Sequence, residues 1–396
     1  MNFSLRRATA LPAMAMALAV ANFVGTAGAA PLVNLNGLGY VQYGDGQSYS
    51  LPFAIIDQCG GTASGCQYSV DSTPGAIKNL VVLATGADGA PLLTNFSGMD
   101  DAYSTPSGVS GSIFFSPSAS TNNGVSPVVI NNNPNTWDSS LLALKTFLAG
   151  GQLVTFFNNN QTNSGGSATQ SLAAWAQISI TDAGGAVVGV YDFTNRNSKY
   201  DVFTNGGGGT FLGDVTTYTS AGIGNPIAGN NTNTDYVLSG GAICRNVFGI
   251  PVPCGSLGAL APVAHNLGAD HAAYAILFPE LNAQLTTLFA GQSDAVLAQY
   301  TLHADVRLGC DPSITGGAIT SICTGNDPTV PYGRSLNNGY EQIFIAAASP
   351  LGCAPTDPTC NPVPVPEPGT LLLVSLAMFA LPLVHGRRKM GQIQPA

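Results

Sequence analysis

A mainly β domain, a sandwich or jelly roll carrying two short helices, is the fold class that the 396-residue sequence predicts. Three observations predict it. Short runs rich in β-branched and aromatic residues recur between Gly, Asn and Asp turn clusters. Several of these runs alternate apolar and polar side chains, the period of a half-buried strand. Only two internal segments repeat their apolar residues at helical spacing. With 45% hydrophobic residues the chain can bury a core despite its abundant Gly and Asn, so the composition excludes a disordered chain.

The elements follow in order. Ile77 to Ala84 and Ser112 to Phe115 read as strands. Asp138 or Ser139 caps a first helix whose stripe is Leu141, Leu142, Leu144, Phe147 and Leu148, and Gly150-Gly151 ends it. Gln152 to Phe157 is a strand. Trp175 to Ile180 places Ala176, Ile178 and Ile180 on one face, turns at Asp182-Ala183-Gly184-Gly185 and returns through Ala186 to Phe193 as a β-hairpin. Pro279 fits the first turn of a second helix, with Leu281, Leu285, Leu288 and Phe289 in its stripe and Gly291 at its end. Tyr300 to Leu308 and Tyr340 to Ala347 are the last strands. In the former, His303, Asp305 and Arg307 share a face that reads as solvent-exposed, with Asp305 and Arg307 as a surface pair. The triplets Asn131 to Asn133 and Asn158 to Asn160 read as turn chemistry. The β-rich region spans 30–350 as one domain or two, and the Gly- and Asn-rich stretch near 222–233 is the only internal boundary.

Both ends read as processing segments. Residues 1–29 have the parts of a secretory signal: Arg6-Arg7, an apolar centre from Ala8 to Val24, and a small-residue cleavage site at Ala27 and Ala29. Residues 351–365 form a Pro-rich linker. Pro366-Glu367-Pro368 then leads through Gly369 into an apolar run, Leu371 to Val384, that closes with Arg387-Arg388-Lys389. Those 14 apolar residues reach about 21 Å as a helix, short of a ~30 Å hydrocarbon core, so flanking residues extend the transmembrane helix to 370–386. The basic cluster beyond it predicts a cytoplasmic C-terminus.

This order of linker, Pro-Glu-Pro, apolar run and basic cluster resembles the PEP-CTERM sorting signal of Gram-negative bacteria, over residues 366–389 only. The resemblance implies export, transient anchoring in the inner membrane and cleavage near Pro366, Glu367 and Pro368 by an exosortase-type processing enzyme. Arg387 and Arg388 complete the motif. It further implies association with extracellular polysaccharide. The same kind of tail occurs in proteins described as ice-binding, which makes ice binding an alternative from the tail alone.

Five of the 12 Lys and Arg lie in the two ends, and 20 of the 21 acidic residues precede Glu367, which leaves the ectodomain near −13. Its basic residues are scattered singly. That excludes a nucleic-acid surface, which needs them clustered.

The eight cysteines fall as neighbours, Cys59 with Cys66, Cys244 with Cys254, Cys310 with Cys323 and Cys353 with Cys360, and in an exported chain they are expected as local disulfides. None has the spacing of a structural zinc site.

Catalytic fingerprints are absent: there is no Gly-x-Ser-x-Gly, no His-Glu-x-x-His and no Gly-x-x-x-x-Gly-Lys. Only Glu280 and Glu341 supply glutamate to the ectodomain. His265, His271 and His303, with Asp270 and Asp305 nearby in sequence, are the candidate metal ligands or acid-base groups, and their meeting in a pocket would mark a secreted carbohydrate-active or metal-dependent enzyme. Asp45, Asp88, Asp100 and Asp101 are candidate calcium ligands, though no spaced calcium loop contains them. Asn95, Asn160 and Asn230 head Asn-x-Ser/Thr sequons. The expectation is a non-enzymatic surface or matrix protein without a required cofactor.

Overall fold

The computed structural model describes residues 33–86, 93–106, 114–115, 129, 131–133, 136–161, 170–193, 222–224, 233–235, 237–247, 251–252, 257–268, 270–309, 336 and 339–350. Among these the chain is mainly strand, with few helices and several sheets. The signal segment, the linker and the apolar tail lie outside the described residues. No described helix is long and apolar enough to cross a membrane.

A seven-stranded sheet runs, in spatial order, β1 (Val41–Tyr43), β2 (Gly46–Ser50), β16 (Tyr274–Leu277), β7 (Gln152–Phe157), β18 (Ile343–Ala348), β3 (Val81–Thr85) and β4 (Tyr103–Ser104). Only the β3–β4 pair is parallel. A second sheet runs β12 (Val237–Gly240), β8 (Gln170–Thr181), β17 (Thr301–Leu308) and β5 (Phe114–Phe115), with β9 (Val187–Phe193) beside β8 and β6 (Trp137–Ser140) beside β17. Two small ladders complete the strands. In one, β13 (Ala242–Arg245) lies between β14 (Pro251–Val252) and β15 (Val263–Ala264); in the other, β10 (Gly222–Gly224) pairs with β11 (Asn233–Asp235).

The central strands of the first sheet are apolar on both faces because each face meets a different core. In β7, Leu153 and Phe157 join a core shared with Ile178, Ile180, Leu302 and Ala304 of the second sheet. Val154 and Phe156 point the other way, toward Leu51, Ala54, Ile77 and the N-terminal Val33 and Leu35. Strand β18 alternates the same way, Ile343 and Ile345 toward the second sheet and Phe344 and Ala346 away from it. A continuous apolar run such as Ile343–Ala348 is what a strand buried on both faces requires.

Five helices are present among the described residues, where the sequence predicts two: α1 (Leu51–Cys59), α2 (Pro74–Ile77), α3 (Leu141–Leu148), α4 (Pro279–Gly291) and α5 (Asp294–Leu297). Helix α4 has the predicted bounds. Helix α3 is capped by Ser140, whose hydroxyl accepts from Ala143 N–H, and not by Asp138 or Ser139, which belong to β6. The strand predicted from Ile77 begins only at Val81, because Thr73 caps Pro74–Ile77 as a short helix first. The last strand starts at Ile343 in place of Tyr340. The predicted hairpin forms as the β8–β9 pair.

Two amide side chains substitute for missing strand partners. Asn282 of α4 is buried and accepts from Leu153 N–H (2.6 Å) while donating to Leu153 O (3.0 Å), which fixes the helix to β7. Gln284 donates to Val188 O (3.0 Å), and Asp45 exchanges two bonds with the Asp192 backbone, so the outer edge of β9 is largely closed to a further strand.

Cys59 and Cys66 form the expected disulfide. Cys244 is also disulfide-bonded. Cys254, Cys310, Cys323, Cys353 and Cys360 lie outside the described residues.

Candidate functional site

The three candidate histidines fall at three separate places with no shared partner. Strand β2 runs directly into α1, which puts Ser50 at the helix cap, where its hydroxyl accepts from Phe53 N–H (3.2 Å). The hydroxyl proton is therefore free for His265 Nε2 (2.6 Å), and Nδ1–H of the ring donates to Val263 O (2.9 Å). Burial pushes the His265 pKa down to about 4, so the imidazole is neutral. His271 Nδ1 lies 3.1 Å from the exposed Asp71 carboxylate. His303 lies between Asp138 (2.9 Å from Nδ1) and Thr181 (2.8 Å from Nε2) on the outer face of the second sheet. Among the described residues no group of three or more His, Cys, Asp or Glu is placed to hold a metal ion.

Alternation along β17 is as predicted, but its polar face is not wet. His303 is 7% exposed and Arg307 3%. Arg307 pairs with Asp305 (2.7 Å) and lies over the Trp175 ring at 4.6 Å, so the pair is packed against an aromatic and not spread on a surface. Beneath His303, Asp138 also accepts from the Thr136 hydroxyl (2.5 Å) and from Asn133 N–H. Asp138 N–H in turn donates to Asp100 Oδ2 (3.0 Å). Burial, reinforced by the Asp138 charge, raises the Asp100 pKa to about 7. Asp101 turns away to accept from Asn95 N–H (3.2 Å). Of the calcium candidates, Asp45 is committed to Asp192, and Asp88 lies outside the described residues.

The densest polar cluster is one that the sequence reading passes over as turn chemistry. Asn158, Asn159 and Gln161 follow β7, Glu341 and Gln342 precede β18, and all five are completely buried. The pairing of those two strands brings the segments together. Gln342 N–H donates to Asn158 Oδ1 (2.5 Å), the Thr85 hydroxyl donates to Gln342 Oε1, and the Thr105 hydroxyl donates to Glu341 O (3.1 Å). Gln161 Nε2 donates to Glu341 Oε1, and Asn266 holds the Gln161 backbone at both its N–H and its carbonyl. Burial pushes the Glu341 pKa up to about 8, so the carboxyl is protonated at neutral pH. Its second oxygen and the Asn158 amide nitrogen have no hydrogen-bond partner among the described residues.

The backbone around the cluster is unusual as well. Tyr340 has φ +61°, rare for a residue with a side chain, and its ring lies so close across Gly86 that a Cβ there would sit 1.8 Å away. Chemically, the cluster can hold a neutral carboxylic acid among amides. One sequence signal marks it: Glu341 is one of three glutamates in the chain and stands two residues before an apolar strand.

Two sequons are closed by their own hydrogen bonds. The Asn95 amide donates to Val82 O and Asp100 O (both 2.7 Å), and the Asn160 amide donates to Gly339 O (2.8 Å). Asn230, the cleavage residues Ala27 and Ala29, and the sorting residues Pro366, Glu367, Pro368, Arg387 and Arg388 lie outside the described residues.

A family model described as a domain of unknown function (DUF8239) matches residues 32–307, and the chain belongs to that family. No curated protein and no solved structure matches it.

Proposed function

We propose that the chain is an exported bacterial surface or extracellular-matrix protein, non-enzymatic, whose two main sheets form a sandwich. It is sorted by its C-terminal signal, held transiently in the inner membrane and cleaved by an exosortase-type enzyme. It is then delivered to the cell surface or the extracellular polysaccharide. The observation that carries this reading is the order of Pro366-Glu367-Pro368, the apolar Leu371 to Val384 and Arg387-Arg388-Lys389 within the last 31 residues. The disulfide between Cys59 and Cys66 suits an oxidising compartment. The non-enzymatic part of the reading draws on the buried titratable groups, which are engaged by the fold's own backbone and amides. His265 serves a helix cap, and Glu341 and Asp100 tie strand ends together.

A secreted enzyme is the second reading, and the Asp138–His303–Thr181 chain of hydrogen bonds is what favours it, since an acid, an imidazole and a hydroxyl stand in relay order. Thr181 is buried, however, which sets this relay among the ties between strands. Ice binding rests on the tail resemblance alone.

Replacing Pro366, Glu367 and Pro368 by alanine in the native host tests the sorting step. The expected result is a membrane-bound precursor accumulating at the expense of the released form. Unchanged release would overturn the assignment.

A further inference from the structure

Between the two main sheets lies a cleft of about 80 Å³ whose walls come from both of them. It arises from side-chain size. Along β8 the residues facing the shared core are Leu172, Ala174, Ala176, Ile178 and Ile180, so two alanines interrupt a row of large side chains. Across from them the first sheet contributes Ser48 and Thr155, which are also small. Protein interiors are close-packed, and a void forfeits the contacts that would fill it. Four small residues converging from two sheets leave this space open.

The walls say what the space would take. They include Tyr43, Phe193 and Tyr274 and no charged side chain, while the ring of Trp175 lies against Arg307 on the other face of β8. A charged ligand would lose its hydration without compensation there. A sugar ring would bring many hydroxyls to a wall whose polar side-chain groups are the Tyr43, Ser48, Thr155 and Tyr274 hydroxyls. Shape and chemistry suit a compact apolar body with little polar character, the usual occupant of a mostly apolar pocket.

We propose that this cleft is a binding site for a small, uncharged, largely apolar molecule, a short alkyl or single-ring aromatic compound, seated against Ala174 and Ala176. The site does not depend on how the tail is processed.

Tyr43 and Tyr274 line the cleft, so the resonances of isotope-labelled tyrosine rings report occupancy. The full chain in lipid vesicles is titrated with toluene and with 1-hexanol, and with benzoate and glucose as charged and polar counterparts. Saturable shifts of the tyrosine resonances with the first two and none with the others are expected, and Tyr43→Phe removes one of the shifted resonances. Ala176→Phe and, independently, Thr155→Leu fill the space, and each is expected to weaken toluene binding at least tenfold. The second variant decides the matter if the first fails to fold. Vesicle partitioning is the same for every variant. A wild-type response that is absent or never saturates, or one that persists unchanged in a folded filling variant, would overturn the proposal.

Discussion

Glu341→Gln is expected to remove most of the loss of stability that the wild-type protein shows between about pH 6.5 and 8. Below pH ~4.5 the Glu341 carboxyl is protonated in both folded and unfolded chains, and its contribution is complete. Between 4.5 and about 8 the unfolded chain ionises it while the folded chain keeps its proton, so unfolding releases a proton and stability falls as pH rises. At ~1.4 kcal/mol per pH unit the loss is on the order of 5 kcal/mol over the whole range, of which about 2 kcal/mol falls between pH 6.5 and 8. Asp100, raised to about 7, adds a smaller loss in the same direction. His265 acts oppositely, because a pKa lowered from 6.5 to about 4 costs stability as pH falls through that range, so the carboxyls dominate above pH 6.5. A glutamine has the shape of the protonated acid, can still accept from Gln161 and cannot ionise. Urea unfolding midpoints at pH 6.5, 7.5 and 8.5 measure the effect. An unchanged slope in Glu341→Gln would mean that the carboxyl is not held protonated in this cluster.

Phe344→Ala is expected to cost about 3 to 5 kcal/mol, the range for truncating a buried aromatic ring. Phe344 is fully buried and stacks on Phe156 with ring centroids 5.3 Å apart, on the face of the first sheet that packs against α1 and the N-terminal segment. Neither ring belongs to the core shared with the second sheet. The loss therefore reports that the first sheet is covered on both sides. Val187→Ala on the exposed part of β9, where the side chain is 61% accessible, is expected to change stability by no more than about 0.5 kcal/mol. A loss at Phe344 as small as that at Val187 would contradict the second core.

Sequence periodicity made the local elements legible. The β8–β9 hairpin, β7, the face pattern of β17 and the bounds of α4 all follow from alternation or helical spacing that needs no distant partner. Helix α1 is not legible in the sequence because Leu51, Pro52, Phe53 and Ala54 are buried as a block, without the stripe that marks a surface helix. On β17 alternation gives the face of each side chain but not its environment, since it reveals direction and not what covers a face.

The amide cluster was illegible for a different reason. Asn158 to Gln161 is a polar run that turn chemistry explains adequately, and its partners Glu341 and Gln342 lie about 180 residues further along the chain. Only the antiparallel pairing of β7 with β18 brings them together. The same holds for the apolar cleft, whose small residues on β2, β7 and β8 mean nothing until the sheets face each other.

Intact mass and terminal sequencing of the protein from the native cell envelope and from the culture fluid test the sorting account most directly. A species beginning at Ala30 and ending near Pro366 to Pro368 is the predicted result. A mature species that retains Leu371 to Ala396 would contradict it and would make the tail a permanent anchor.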